Sequence, residues 1–350
     1  MERGPAVASP ALALLAVLLL AACAPVGTEP LPGRPSHHVE GGFRNPSLEF
    51  QRPGGWTRTR FLVARVWGSL VAPRSFEAPR VAGGSMLLAG NPAPAVTWIG
   101  HATLLVRLEG VTILTDPHWS QRASPLSWAG PRRLSAPGLA FEDLPPVHVV
   151  VISHDHYDHL DLGTVKRLAE THDPLFVVPL GFKRWFAEQG IARVEELDWW
   201  QSHEHRGLRL VCLPAQHFTQ RTPWDGNRRL WASWAVIGAS KRLYFSGDTG
   251  YFDGFRHVGE QLGPFDLAAL AIGAYLPPEI MRSVHLTPEE AVQAFDDLRA
   301  RILLGIHWGT FDLADEPLAE PPERMLAETR RRGIPAERAW ILKIGETRRW

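Results

Sequence analysis

From Ala95 onward the chain alternates short apolar runs with polar breaks. AVTWIG (95–100), TLLVRLEG (103–110) and VTILTD (111–116) are alternating or β-branched segments closed by Gly or Asp, the pattern of an opening meander of strands. VHVVVIS (147–153) is an apolar run, and it predicts a strand buried on both faces. DLGTVKRLAE (161–170) switches to helical spacing. LFVVP (175–179), LRLVCLPA (208–215), LWASWAVIG (230–238), KRLYFSGD (241–248), LAALAIG (267–273) and RILLGIH (301–307) predict further strands. Between the last two lies a helix with defined start signals: Thr287 as N-cap, Pro288 at the first helical position, and Glu290 completing a capping box. Its apolar residues Ala291, Val292, Phe295 and Leu298 share one face. The mixture predicts an α/β protein with two sheets and outer helices.

The first 23 residues fall outside this pattern. Arg3 precedes an apolar stretch from Ala11 to Ala22, too short for a spanning helix of about 20 residues but suited to a secretory leader. The stretch ends in Leu20-Ala21-Ala22-Cys23, which resembles a bacterial lipobox, so residues 1–23 read as a lipoprotein signal peptide whose Cys23 carries lipid. Simple cleavage after Ala22-Cys23-Ala24 is the rival, and Pro25 directly after the cut disfavours it. A lipid anchor places the protein in the cell envelope, at a membrane surface on the periplasmic side. Ala24 after Cys23 leans toward the outer membrane rather than the inner. Residues 24–55 are rich in Pro and Gly and read as a flexible tether in which His37 and His38 are solvated. The folded domain is expected from 56 to 350. With Cys23 acylated, Cys212 is alone and no internal disulfide can form. Cys212 lies in an apolar run and reads as core.

Composition narrows the function. Lys plus Arg and Asp plus Glu number 37 each, so the chain lacks the basic excess of a nucleic-acid binder. The 15 His point instead toward metal chemistry. Ser153-His154-Asp155-His156-Tyr157-Asp158-His159 sets three imidazoles and the Asp158 carboxylate within six residues, directly after a buried strand. Those are ligands zinc accepts. One short loop cannot wrap four donors around one ion without strain, but it can offer two to each of two neighbouring ions. Three further donors follow apolar strands at once: His217, Asp248 and His307. Strand ends gather along one rim of a sheet, so these seven donors can converge on a pair of ions.

HxHxDH, a lone His, an Asp in a GD turn and a final His together resemble the metallo-β-lactamase superfamily. That resemblance implies a four-layer αββα sandwich. It implies two zinc ions, the first held by His154, His156 and His217, the second by Asp158, His159 and His307, with Asp248 bridging. Longer runs are similar to the N-acylphosphatidylethanolamine-hydrolysing phospholipase D family: TWIGHAT at Thr97, ELDWW at Glu196, SGDTGY at Ser246, GPFDLAALAIGAY at Gly263, HLTPEEAV at His285 and HWGTF at His307. Val284 stands where the animal enzymes of that family have Gln.

This resemblance implies a phospholipid substrate, a homodimer, and release of N-acylethanolamine and phosphatidic acid. A hydroxide hydrogen-bonded to Asp158 would attack phosphorus, and His285 would give the leaving alkoxide its proton. The alternative for His285 is a histidine that merely packs before the helix. Asp116 and His101 read as supports for the ligand loop. Tyr251 lines the pocket or the core, Trp199 and Trp200 read as buried aromatics, and His203 and His205 fall in a polar, solvent-facing loop. The alternative functions are another metal hydrolase of the same fold (lactonase, thioesterase, other phosphodiesterase or nuclease), a non-enzymatic envelope lipoprotein, and an iron-dependent oxidoreductase.

Overall fold

A computed structural model describes residues 26–47, 54–71, 73–81 and 93–350. The expected signal peptide, including Cys23, lies outside the described residues.

The segment expected as a tether is attached to the domain where it is described. Strands β1 (His38–Val39) and β2 (Gly42–Phe43) form a small hairpin. His37 is buried rather than solvated: its Nε2 lies 2.6 Å from Asp198 Oδ1, and His38 Nε2 lies 2.7 Å from Asp198 Oδ2. Helix α1 (Gly55–Val71) follows. Arg65 on α1 donates to the carbonyls of Asp312 and Ala314, which ties the helix to the domain.

The first large sheet has the spatial order β16 (Thr347–Arg349), β3 (Ala95–Gly100), β4 (Thr103–Leu108), β5 (Val111–Thr115), β6 (Val149–Val151), β7 (Leu175–Pro179), β8 (Val194–Leu197). The second has the order β15 (Ala339–Trp340), β14 (Ile302–Ile306), β13 (Leu267–Ala271), β12 (Arg242–Phe245), β11 (Ser233–Ile237), β10 (Leu208–Leu213), β9 (Ser202–His205). Each sheet begins as an antiparallel meander and continues as parallel strands, so the second repeats the pattern of the first. His203 and His205 belong to the edge strand β9 and not to a loop.

Strand periodicity builds the four layers. In β6, Val149 and Val151 face the core between the sheets, while Val150 and Ile152 face an outer cluster. Helices α2 (Leu162–Thr171) and α3 (Lys183–Glu188) close that outer cluster with Val165, Leu168 and Phe186. On the other side, α4 (Gly254–Leu262), α6 (Pro288–Asp297) and α7 (Glu320–Arg331) cover the second sheet, with the one-turn helix α5 (Pro278–Met281) before α6. The predicted capping box is present: Glu290 N donates to Thr287 Oγ1 and Thr287 N to Glu290 Oε2. The result is the expected αββα sandwich. Fully burying each aliphatic side chain in these layers contributes about 1.5–3 kcal/mol, which is what the apolar strand runs encode.

Candidate metal centre

The fold brings the seven predicted donors together. β10, β12 and β14 run in one direction, so the residues after their C-terminal ends meet at one rim, where the loop after β6 also arrives. His154 Nε2, His156 Nδ1 and His217 Nε2 form one group, with His156 Nδ1 lying 2.8 Å from His154 Nε2 and 3.2 Å from His217 Nε2. The second group has His159 Nε2 and His307 Nε2 3.2 Å apart, with Asp158 Oδ2 3.3 and 3.5 Å from them. Asp248 lies between the groups. Its Oδ2 is 3.1 Å from His159 Nε2, 3.9 Å from His217 Nε2 and 4.0 Å from His154 Nε2, and its Oδ1 is 3.0 Å from His307 Nε2.

The ligand loop is held from beneath. Asp116, fully buried, accepts from Ser153 N at 2.7 Å and lies 2.7 Å from His159 Nδ1, which aims Nε2 at the cluster. Asp155 turns away, accepting from Arg229 Nε and Gln220 N, which explains why one carboxylate of the motif is no donor to the cluster. His101 sits in the left-handed region with φ 54°, fixed by donation from Trp98 Nε1 and His307 N to its carbonyl. Its Nε2 lies 2.8 Å from Asp158 Oδ2. His285 faces the cavity with Nδ1 3.8 Å from Asp248 Oδ2. Tyr251 is placed elsewhere: its Oη donates to Asp297 Oδ2 at 2.6 Å, and its ring packs on Phe255. Trp199 is buried, but Trp200 is exposed.

Residues 111–308 match the family described as "Beta-lactamase superfamily domain", and all seven donors fall within that span. The chain belongs to the metallo-β-lactamase superfamily. Among superfamily relatives, the N-acyl-phosphatidylethanolamine-hydrolyzing phospholipase D 1 of Caenorhabditis elegans is 49% identical over 241 residues, 65% of this chain and 68% of the worm protein. Outer membrane protein RomA of Klebsiella pneumoniae is 41% identical over 102 residues, 29% of this chain and 75% of RomA. The isothiocyanate hydrolase from Delia radicum gut bacteria shares the fold, with a TM-score of 0.59 at 19% identity over 73% of this chain and 98% of that one.

The donor chemistry of this superfamily member fits cations. Asp248 Oδ1 is buried without a hydrogen-bond partner among the described residues, although His307 Nε2 lies 3.0 Å away. The two atoms converge without hydrogen-bond geometry, as ligands of a shared ion do. Burial alone would pull His307 down, but Asp248 and Asp158 override it and raise it to about 9. His159, likewise buried, is raised well above the ordinary imidazole range by Asp248 and Asp158. In the opposite group, burial and then neighbouring imidazoles hold His154 and His217 well below that range, ready to ligate as neutral rings.

A pH prediction follows from these signs. A raised His307 stabilises the metal-stripped fold fully below about pH 6.5, and that contribution is lost as pH rises through about 9. The melting temperature of stripped protein is therefore expected to fall over that window, and metal uptake near pH 7 is expected to release protons. A calorimetric titration in several buffers that showed no proton release would refute the protonated cluster.

Asn45 lies in the run FRNP at Phe43, where the family resemblance begins, but sequence reasoning gave it no role and did not single out α1; both reach the site. Asn45 brackets the peptide groups of His217, and Phe61 and Leu62 of α1 line the cavity above the cluster. The apolar positions of RFLVARVWGSLV (60–71) were the available signal.

Proposed function

We propose that the protein is a metal-dependent hydrolase, binuclear in zinc, that cleaves the phosphodiester of N-acylphosphatidylethanolamine-type phospholipids to N-acylethanolamine and phosphatidic acid. One observation carries this reading: an apolar cavity of about 420 Å³ opens directly onto the donor cluster. Phe61, Leu62, Phe218, Ile280, Met281 and Val284 form its walls, and His156, Asp158 and Asp248 reach its surface. A pocket of this size and lining suits a long hydrocarbon beside a charged group. The likeness to the worm phospholipase supports the same substrate class.

When bound, the cations would lower the pKa of water to near neutrality and offset charge that develops on the phosphoryl oxygens. The side chains do the rest. Burial would raise Asp158, but His159 and His101 hold it well below the usual carboxylate range, so it is ionised and able to accept a hydrogen bond from the attacking hydroxide. His101 fixes the carboxylate that does so. Burial pushes His285 down to about 4, so its ring is neutral near pH 7. In the metal-free protein it is therefore an N–H donor facing the cavity, where the resemblance implies a proton donor to the leaving oxygen.

The approach to a bilayer is part of the proposal. Trp56, Leu62, Val63 and Trp67 of α1 are exposed among the described residues, on the helix that also walls the cavity. An apolar patch with tryptophans suits a lipid interface. No helix among the described residues is long and apolar enough to cross a membrane. Attachment through Cys23 at the periplasmic side of the envelope, preferentially the outer membrane, agrees with the likeness to RomA.

Zinc-loaded protein given N-acylphosphatidylethanolamine in mixed vesicles is expected to release phosphatidic acid at a far higher kcat/KM than it shows on lactones, thioesters or nucleotide diesters. Faster turnover of any of those, with no phosphatidic acid formed, would replace this substrate class with another on the same site.

A further inference from the structure

The segment before the superfamily domain reaches a ligand of the centre. After β10 ends at Leu213, the chain runs to His217 outside any strand. Asn45 fills the gap left by a missing strand partner: its Nδ2 donates to His217 O at 2.7 Å, and His217 N donates to its Oδ1 at 2.9 Å. Both peptide groups flanking the His217 Cα are thereby fixed. The ring is fixed separately, with Nδ1 2.9 Å from the Val284 carbonyl. Asn45 and His217 are both buried, so neither peptide group has water as a substitute.

Asn45 is itself held in place. Upstream, His37 and His38 each meet a different oxygen of Asp198, and Phe43 N donates to Asn227 O at 2.9 Å. The His37–Asp198–His38 group is a clasp rather than a third cation site. Its contacts are of hydrogen-bond length, and Trp199 N also donates to Asp198 Oδ1 at 2.7 Å, so the donors satisfy one another. Downstream, Ser47 N donates to Gln216 Oε1 at 3.3 Å, beside His217.

We propose that Asn45, carried on the strap of residues 37–47 and clasped to Asp198, is a positioning residue that sets metal ligand His217 and thereby the affinity of the first metal position. The strap lies outside residues 111–308, so this chain tunes a superfamily ligand from a segment the matched domain does not include. A side-chain amide carries its donor and its acceptor on separate atoms, so Asn45 meets the C=O and the N–H of one residue at once. Asn45→Asp keeps the acceptor for His217 N and loses the donor to His217 O, and Asn45→Ala loses both.

The proposal rests on His217 being a ligand, so the test includes His217→Ala. Full-length proteins stripped of metal are titrated with Zn2+ against a chromophoric chelator, and their melting is recorded without metal. His217→Ala is expected to lose one equivalent. Asn45→Ala is expected to weaken one equivalent by about 10- to 100-fold while leaving the other unchanged. Asn45→Asp should fall between Asn45→Ala and the parent, and Asp198→Ala should shift the same equivalent by less. The Co2+-loaded visible spectrum of Asn45→Ala should show altered intensity from a displaced imidazole. If His217→Ala binds metal like the parent, the ligand assignment itself fails. If His217→Ala loses an equivalent while both Asn45 variants bind within twofold of the parent, the positioning role is overturned. Equal weakening of both equivalents, or metal-free melting lowered in step with the affinity loss across both Asn45 variants, overturns it as well.

Discussion

Asp248→Asn is expected to reduce bound metal to at most one equivalent and to lower kcat/KM by about three orders of magnitude, the scale of several kcal/mol of lost charge stabilisation. The reason is geometric. Asp248 lies close to both groups of imidazoles, with Oδ1 3.0 Å from His307 Nε2 and Oδ2 3.1 Å from His159 Nε2 and 3.9 Å from His217 Nε2. An amide keeps the shape and removes the anion that would hold the two proposed cations side by side. It also removes one of the two carboxylates that together offset burial at His159 and His307, so those rings should lose their protons more readily in the stripped variant. Elemental analysis and phosphatidic acid release measure the two effects. Full metal content with a rate within tenfold of the parent would remove Asp248 from the centre. A change in far-ultraviolet circular dichroism would mean that the fold had failed, and His307→Ala, which leaves Asp248 in place, then serves as the second probe.

The site was legible in the sequence because each donor or group of donors comes within a few residues of the end of an apolar strand. His217, Asp248 and His307 are distant along the chain, but β10, β12 and β14 share a direction, and the end of each marks its place on the rim. The strand β6 was equally legible, since a strand buried on both faces leaves no polar alternation. The elements that escaped carry no apolar pattern of their own. His37 looks solvated in a Pro- and Gly-rich stretch until Asp198, 161 residues later, is brought against it. Strand β9 reads as polar loop because it is an edge strand with alternately exposed residues, paired on one side only by β10. The duplicated order of the two sheets leaves no visible sequence repeat, because strand pairing constrains pattern and not residue identity.

Acyl-chain length is the variable to which the proposed enzyme should respond most steeply after its metal ligands. If the cavity walled by Leu62, Met281 and Val284 takes the N-acyl chain, each methylene buried there contributes about 0.8 kcal/mol, or about fourfold in kcat/KM. Across a series of N-acyl lengths presented in detergent micelles of constant composition, kcat/KM is expected to climb by two to three orders of magnitude (about 3–4 kcal/mol) and then level off once the cavity is full. Leu62→Asp should flatten that climb by placing a charge on the wall, because an unpaired carboxylate keeps its water and excludes hydrocarbon. Leu62 is half-exposed on α1 and is not one of the donors, so the variant should retain its metal and its rate on the shortest chain. A parent enzyme indifferent to chain length would show that the acyl group lies outside the cavity. A Leu62→Asp variant with the parent's slope would show that α1 does not guide it, and the exposed tryptophans of that helix would then need a different explanation.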